Sequence, residues 1–356
     1  SSRSPATWLV SDVTTLFITR TAAFDVEVQD LIVPLDPAKL AGREDDGVTT
    51  ILFLGNDPIS DETGETGIAG QIAALAAASS GSGAGSAPAG NSAASADSAA
   101  AESTAAAGDS AAAQSSVSGQ GSAAEQLNIS TICAGFPSSR VASVNAHYDL
   151  SAVDDVFNMY YVANAINSGD FSAMQSAAAL QSDSRYAEAA DTLASTDFNT
   201  VDMIVFFYDA QDYFTSSPVM NENDDNDIQT YTGAMKRAFE LIQARYPHIR
   251  LVFLSPTYAE YMTGDGSVQS GDSYDIGNGA LPTYWAKAID ICTGSAGSFL
   301  GNYYGSINQY NYRKFLSDNV HLNEKGRRLI ADHFTRKVLL NDYSEYDVSA
   351  ASAQIE

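Results

Sequence analysis

Five short apolar runs recur along this 356-residue chain, and most of them are separated by segments with helical periodicity. The runs are VTTILFLG (48–55), NISTICAG (128–135), VDMIVFFYD (201–209), IRLVFLSP (249–256) and the weaker GSFLGNYY (297–304). Continuous apolar runs of this length are typical of parallel strands that are buried on both faces. Their alternation with helices predicts an α/β fold in which helices cover both faces of a five-stranded parallel sheet.

Helical patterns are clearest in three segments. A capping-box-like start predicts a helix over 151–168, and regular spacing of apolar residues predicts another over 228–245. A third helix is predicted after Asn323, whose side chain can cap it. In that third segment apolar residues recur every four positions, at Ile330, Phe334 and Val338.

Residues 79–126 consist mainly of Ala, Ser and Gly and contain no aromatic residue. Such a segment buries too little apolar surface to offset the entropy lost on ordering, so we expect a disordered or loosely helical insertion. Its place after a helix and before a strand puts it at the amino-terminal edge of the sheet, opposite the ligand-binding edge of open α/β folds. The predicted organisation is an N-terminal extension (1–47), a domain (48–340) interrupted by this insertion, and a C-terminal tail (341–356).

The chain is strongly acidic, with a formal net charge of −26 and an isoelectric point near 4.2. We therefore expect neither a nucleic-acid partner nor attraction to anionic lipid surfaces. No run approaches the roughly 20 apolar residues of a membrane span. Cys133 and Cys292 are too few for a disulfide framework, and one bridge or two free thiols remain open. The chain begins at Ser1 without Met, so we expect that an upstream segment has been removed or left out.

Polar turns follow the first three apolar runs, and a fourth turn precedes the third predicted helix. The four turns are 55–60, 135–139, 209–212 and 318–321. Because the carboxyl ends of parallel strands meet at one edge of a sheet, we expect these turns to lie together. Asp318 and His321 are three residues apart and can form an acid–base pair. The other histidines have no partner at such a spacing and are expected on the surface or on helix faces: His147, His248 and His333.

The blocks around these turns resemble those of the SGNH (GDSL-type) hydrolases. SDNVHLNEKGRRLIA is similar to the family's Asp-x-x-His block, with Asp318 and His321 as the catalytic acid–base pair. VDMIVFFYD, the loop 218–227 and the strand LVFLSPTY match in position. The resemblance covers most of 48–340 outside the Ala/Ser/Gly-rich segment. It implies a flavodoxin-like three-layer α/β/α fold and a family activity on esters of lipids, carbohydrates and acetylated glycans.

The same resemblance shows where this chain departs from the family pattern. Asp57 aligns with the nucleophilic serine, and Asn56 aligns with the aspartate before it. Ser138 aligns near the oxyanion-hole glycine. Gln211 aligns with the oxyanion-hole asparagine, and Asp209 aligns with the glycine two residues before it. Both the nucleophile and the oxyanion-hole blocks are therefore substituted.

These substitutions have chemical consequences. A carboxylate at Asp57 would pair with the imidazole of His321 and raise its pKa, whereas a serine hydroxyl would be activated by it. Asp209 would bring negative charge to the place where an oxyanion needs positive potential. In a protease series, loss of the nucleophile lowers turnover by about 10⁶. The sequence therefore predicts an impaired or lost ester-hydrolase site and a binding or scaffolding role.

Two other hypotheses remain open. Ser60 could act as a non-standard nucleophile with His321 and Asp318 in an active esterase or O-acyl transferase, although helix capping is its simpler role. The acidic residues around His321 could instead bind a divalent cation, which would make the chain a cation-dependent binding module. The leading hypothesis assigns no cofactor and no metal. The resemblance implies a carbohydrate or cell-envelope glycan as ligand and an extracellular or cell-envelope location.

Overall fold

The structure is a computed structural model, and it describes residues 8–9, 15–20, 26–41, 46–81, 127–145 and 153–355. Apart from residues 79–81, the Ala/Ser/Gly-rich segment lies outside these described residues. Among the helices of the described ranges, none has both the length and the apolar character needed to span a bilayer.

Eight strands form one sheet, and two more form a separate hairpin. In chain order they are β1 (Trp8–Leu9), β2 (Thr15–Arg20), β3 (Val26–Ile32), β4 (Thr49–Gly55), β5 (Ile129–Gly135), β6 (Met203–Phe207), β7 (Arg250–Leu254), β8 (Glu260–Met262), β9 (Val268–Ser270) and β10 (Ser298–Leu300). The order across the large sheet is β1-β2-β3-β10-β7-β6-β4-β5. Five adjacent strands of this sheet are parallel and correspond to the five predicted strands: β10, β7, β6, β4 and β5. Their spatial order is the 2-1-3-4-5 order of flavodoxin-like folds, which confirms the predicted fold class. The strand count differs from the prediction, because β1, β2 and β3 extend the five-stranded parallel sheet as antiparallel strands.

The central strands are buried on both faces. Ile51, Leu52 and Phe53 follow one another in β4, and none of the three side chains has exposed surface. Val205 and Phe206 in β6 are equally buried. Successive side chains of a strand point to opposite faces, so both faces of the sheet must be covered. This arrangement explains why the runs are continuously apolar and do not alternate with polar residues.

Helices supply the two outer layers. They are α1 (Asp57–Ser60), α2 (Ile68–Gly81), α3 (Met159–Ser168), α4 (Ser172–Ala178), α5 (Ser184–Ser195), α6 (Gln211–Phe214), α7 (Tyr231–Arg245), α8 (Leu281–Gly294), α9 (Asn302–Gly305), α10 (Tyr312–Phe315), α11 (Glu324–Phe334) and α12 (Val348–Ile355). Short 3₁₀ turns cover Pro37–Leu40 and Val153–Phe157, and a π-helical turn, Thr335–Leu339, follows α11. In the packing, α2 contacts α11, and α7 contacts both α3 and α8.

The predicted helices are present, with later starts in two cases. α11 begins after Asn323, whose Oδ1 accepts a hydrogen bond from the N–H of Gly326 at 2.9 Å, as expected for a cap. α7 begins after Thr230, which caps it, and not at Ile228. The helix predicted from residue 151 begins only at Met159, because a 3₁₀ turn precedes it.

Residues to which the sequence assigned no role lie mostly in the interior. Cys133 and Cys292 are both free thiols, which answers the open question of their pairing. His248 is buried, and His333 has no exposed surface at all, so neither lies on the protein surface. His147 is outside the described residues.

The N-terminal strands join the sheet and bring a buried partner to His333. β3 pairs antiparallel with β10, opposite the parallel strand β7. Asp30 in β3 accepts a hydrogen bond from the N–H of Gly301 at 3.0 Å, and its second oxygen lies 3.1 Å from Nε2 of His333. Nδ1 of the same imidazole lies 2.7 Å from Oγ of Ser306. This buried Asp–His–Ser chain therefore ties β3 to α11.

Candidate functional site

The four polar turns predicted to form a site are close together. β5, β4 and β6 are parallel neighbours, so the turns that follow them emerge at the same edge of the sheet. The turn before α11 contributes Asp318 and His321 to this edge. Ligand atoms of Asp57, Asp209 and His321 all lie within 4.8 Å of one another. The residues of the Asp-x-x-His block and the substituted positions thus share one cluster, which we name the Asp57–Asp209–His321 cluster.

A close backbone approach at Gly55 positions the first turn. A Cβ atom at Gly55 would lie only 1.8 Å from the carbonyl oxygen of Phe207 at the end of β6. Only glycine permits this contact between the ends of β4 and β6. As a result, Asn56 lies directly beside the turn that carries Asp209.

Asn56 and Asp209 form a reciprocal pair in the interior. The side-chain amide of Asn56 donates to Oδ1 of Asp209 at 2.6 Å, and its carbonyl accepts from the N–H of Asp209 at 2.9 Å. The same Oδ1 atom accepts from the N–H of Gln211 at 3.0 Å. Burial, followed by repulsion from Asp57, raises the pKa of Asp209 to about 7, even though these hydrogen bonds oppose the shift.

Asp57 is turned toward the loop after β5. Its Oδ2 accepts a hydrogen bond from the N–H of Ser138 at 2.9 Å. Ser138 has a φ angle of 55°, in the left-handed region that favours glycine, which agrees with its alignment near a family glycine. Burial raises the pKa of Asp57 and nearby Asp61 adds to this, while the Ser138 N–H and His321 oppose it. The backbone donor expected at the oxyanion position is therefore already bonded to a carboxylate.

Asp318 orients the imidazole of His321. Oδ2 of Asp318 lies 2.6 Å from Nδ1 of His321, and its Oδ1 accepts from the N–H of His321 at 2.8 Å. Burial alone would lower the pKa of His321, but the hydrogen bond and charge of Asp318, assisted by Asp57, raise it above its ordinary value. Burial acts to raise the pKa of Asp318, yet its hydrogen bonds from Val320, His321 and the ring lower it overall. The charged form of His321 is thus favoured, chiefly by Asp318.

The alternative nucleophile does not belong to this cluster of interacting groups. Ser60 is buried at the end of α1, and its Oγ has no hydrogen-bond partner among the described residues. An alcohol becomes nucleophilic when a base within hydrogen-bond reach accepts its proton. No such base contacts Ser60 in the described part of the chain.

Gln211 contributes its backbone N–H to Asp209, and no side-chain hydrogen bond of Gln211 is found among the described residues.

Asp212 is a structural carboxylate whose role the sequence analysis missed. It lies directly after Gln211 and is buried. Its two oxygens accept hydrogen bonds from the N–H groups of Val141 and Ala142, at 2.8 and 3.0 Å. The loop after β5, which carries Ser138, is therefore fixed to the start of α6. The acidic residue after Gln211 was visible in the sequence, but its partners lie some 70 positions earlier in the chain.

A cleft of about 450 Å³ opens beside Ser138, within the size range of small-molecule sites. Its lining combines aromatic rings with polar and basic side chains, and includes Ser138, Arg140, Phe157, Asn158, Gln181 and Tyr186. These residues come from four separate segments, and only Ser138 among them was singled out from the sequence. Another cleft, of about 410 Å³, lies between Tyr304 and the residues before α12 and shares no residue with the four turns.

No protein-family sequence profile and no curated protein sequence matches this chain. Solved structures that are similar in fold include a possible lipase from Chitinophaga pinensis, with 11% identity, a TM-score of 0.45, and coverage of 83% of this chain and 99% of that one. The carbohydrate acetylesterase Est24 from Sinorhizobium meliloti has 9% identity, a TM-score of 0.41 and coverages of 82% and 99%. A GDSL-like lipase candidate from Parabacteroides merdae has 12% identity, a TM-score of 0.40 and coverages of 82% and 96%.

Identities this low and TM-scores under 0.5 carry no conclusion about the activity of this chain. The strand order and the position of the four turns come from the molecule itself. On these features, the chain has an SGNH hydrolase-like α/β/α fold.

Proposed function

We propose that this chain is an SGNH hydrolase-like protein that does not hydrolyse esters through a serine nucleophile and instead binds a ligand in the cleft beside Ser138. The observation that supports this most strongly is the hydrogen bond from the N–H of Ser138 to Oδ2 of Asp57. This hydrogen bond connects two of the substituted positions. Asp57, at the nucleophile position, accepts the N–H of Ser138, which is the donor expected at the oxyanion position.

The contact between Ser138 and Asp57 removes two requirements of acyl transfer. An acyl-transfer site needs a neutral hydroxyl that a base can deprotonate, and N–H donors that are free to bind the oxyanion. Asp57 has no such proton to give when ionised, and Asp209 adds a second carboxylate within 4.8 Å. Removing one oxyanion donor lowers turnover by about 10²–10³, and removing the nucleophile lowers it by about 10⁶. Both losses act together here.

The ligand that this proposal favours is a saccharide. The cleft offers the ring of Tyr186 for stacking, and Arg140 and Gln181 for hydrogen bonds with hydroxyl groups. Its volume of about 450 Å³ suits one or two sugar units. A glycan ligand would also fit a location in the cell envelope or outside the cell, which belongs to the same proposal.

Ester hydrolysis by the purified chain is expected to be absent. With EDTA present, turnover of p-nitrophenyl acetate, p-nitrophenyl butyrate and acetylated xylo-oligosaccharides should not differ between the natural chain and His321→Ala. The reason is that His321 has no alcohol to activate. Turnover that His321→Ala abolishes would refute the proposal.

A serine-directed fluorophosphonate provides the matched control. The natural chain should not be labelled, whereas Asp57→Ser should be, because its new hydroxyl would lie beside the intact Asp318–His321 pair. Labelling of the natural chain that disappears in Ser60→Ala would instead support the active-esterase alternative.

Ligand binding is expected to depend on the cleft. Titration calorimetry with xylo-, cello- and chito-oligosaccharides should give a saturable signal for at least one series. Arg140→Gln should weaken that binding about 10–100-fold, since a hydrogen bond to a charged group contributes about 1.5–3 kcal/mol. Arg245→Gln, at an exposed position of α7, serves as the control. An equal response of both variants, or no heat with any series, would contradict a saccharide role for the cleft.

A further inference from the structure

The Asp57–Asp209–His321 cluster has ligand atoms that accept no hydrogen bond from any other described residue. Both acidic residues are more than nine-tenths buried, with 7% exposure for Asp57 and 8% for Asp209. Only Oδ2 of Asp57 and Oδ1 of Asp209 accept hydrogen bonds from other described residues. The second oxygen of each carboxylate therefore lacks a donor within that part of the chain. Neither of these second oxygens is fully buried, so both remain accessible to a ligand such as a cation.

In each of the three side chains, one atom is hydrogen-bonded within the protein, and this bond fixes the orientation of the second atom, which could bind a ligand. The Ser138 N–H fixes Asp57, and the Asn56 amide fixes Asp209. Asp318 fixes the ring of His321 through Nδ1, which leaves Nε2 as the ring nitrogen without a partner among the described residues. A carboxylate bonded to the far nitrogen of a histidine is the usual support of a metal-binding imidazole. Each side chain of the cluster is thus fixed through one atom, and its other ligand atom accepts no hydrogen bond from another described residue.

The spacing of the cluster suits one small metal ion. Ligand atoms about 2.0–2.2 Å from a tetrahedral zinc ion lie about 3.4 Å from each other. The three groups here already lie within 4.8 Å of one another, so side-chain rotations that move each atom by about 1 Å would complete the geometry. Two carboxylates and one imidazole form a mixed oxygen and nitrogen set, which favours Zn²⁺ or Mn²⁺ over Ca²⁺ and Mg²⁺.

We infer that Asp57, Asp209 and His321 form a mononuclear site for a divalent transition-metal ion, with Asp318 as the positioning residue for His321. Three protein ligands leave at least one coordination position open. Ser138 lines the neighbouring cleft and is bonded to Asp57, so the open position lies next to that cleft. The charge of the ion would neutralise the two carboxylates that repel each other in this cluster. The inference concerns metal binding alone, and it does not depend on whether the cleft binds a saccharide.

The test is zinc titration of the full chain after treatment with EDTA and buffer exchange, at about 0.15 M salt to screen non-specific attraction to the acidic surface. We expect one Zn²⁺ per chain with a Kd of about 1 µM or tighter. Asp57→Asn and His321→Gln should each weaken binding about 100-fold or more, and Asp318→Asn should weaken it about 10–100-fold. Calcium and magnesium should bind far more weakly.

Two controls separate a site from general electrostatics and from misfolding. Asp61→Asn removes one nearby exposed charge without removing a ligand, and it should change the zinc affinity less than about 3-fold. The chain has four histidines, so ¹⁵N NMR of the imidazole rings can follow zinc binding in the natural sequence. Only the His321 ring should shift.

Several outcomes would overturn the inference. They are the absence of stoichiometric zinc binding, an affinity that Asp57→Asn and His321→Gln leave unchanged, or zinc-induced shifts at another histidine and not at His321. The ester and saccharide assays do not report on this site, so failure of the proposed function is distinguishable from failure of the metal site.

Discussion

Replacing His333 by alanine is expected to lower the free energy of unfolding by about 3–5 kcal/mol. The imidazole has no exposed surface, bonds Asp30 and Ser306, and stacks on the ring of Tyr346 with centroids 4.2 Å apart. Without it, the Asp30 carboxylate stays buried with only the Gly301 N–H as its hydrogen-bond donor among the described residues. The midpoint and slope of urea-induced unfolding, followed by circular dichroism, measure the effect.

Ser306→Ala is the matched control for this substitution. It removes one hydrogen bond of the same chain and leaves the Asp30–His333 contact in place, so we expect a loss of about 1 kcal/mol. A similar small loss for both variants would mean that the buried Asp–His contact does not stabilise the attachment of β3 to α11.

Asp209→Asn is expected to stabilise the protein at pH 8 by up to about 4 kcal/mol and to have little effect near pH 4. The pKa of Asp209 is raised from 3.8 to about 7, first by burial and then by Asp57. The folded state therefore resists deprotonation of this carboxyl more than the unfolded state does. The amide oxygen of the variant can still accept hydrogen bonds from Asn56 and Gln211, while the charge is gone.

The sign of the pH dependence follows from linkage. A carboxyl whose folded-state pKa is raised contributes no penalty below pH 3.8, and stability is lost as the pH rises from there through about 7. Unfolding free energies of the two proteins, measured in EDTA at intervals from pH 4 to pH 8, should diverge over that window. Glu188→Gln, at an exposed position of α5, changes the formal charge equally and serves as the charge control. A constant offset between the natural chain and Asp209→Asn would disprove this account of Asp209.

The central sheet could be predicted because its information is local. Each parallel strand is a continuous apolar run, as in VDMIVFFYD, which contains β6. A strand that is buried on both faces needs apolar side chains at successive positions, so the run itself identifies the strand. The same holds for α11, whose start is marked by Asn323 and whose inner face recurs every four residues. Where a start was misplaced, as at Met159, tertiary contacts selected a 3₁₀ turn that local propensity does not specify.

The N-terminal strands were harder to predict for the opposite reason. β3 is added antiparallel to β10, which follows it by more than 260 residues, so no local pattern fixes this pairing. Asp30 and His333 are 303 positions apart, and neither residue shows in the sequence that the other is its partner. No role could therefore be assigned to either residue from the sequence.

The sequence by itself determined which groups would stand at the binding edge of the sheet: a carboxylate at position 57, carboxylate and amide at 209 and 211, and the Asp318–His321 pair. These follow from strand ends and motif spacing, which are properties of adjacent residues. Only the tertiary structure decided how the groups are paired, with Asn56 on Asp209, the Ser138 N–H on Asp57, and ligand atoms of Asp57, Asp209 and His321 within 4.8 Å of one another. The physical reason is that a hydrogen bond forms only when donor and acceptor are placed to within tenths of an ångström. Packing of the whole sheet sets these positions, and adjacent residues alone do not.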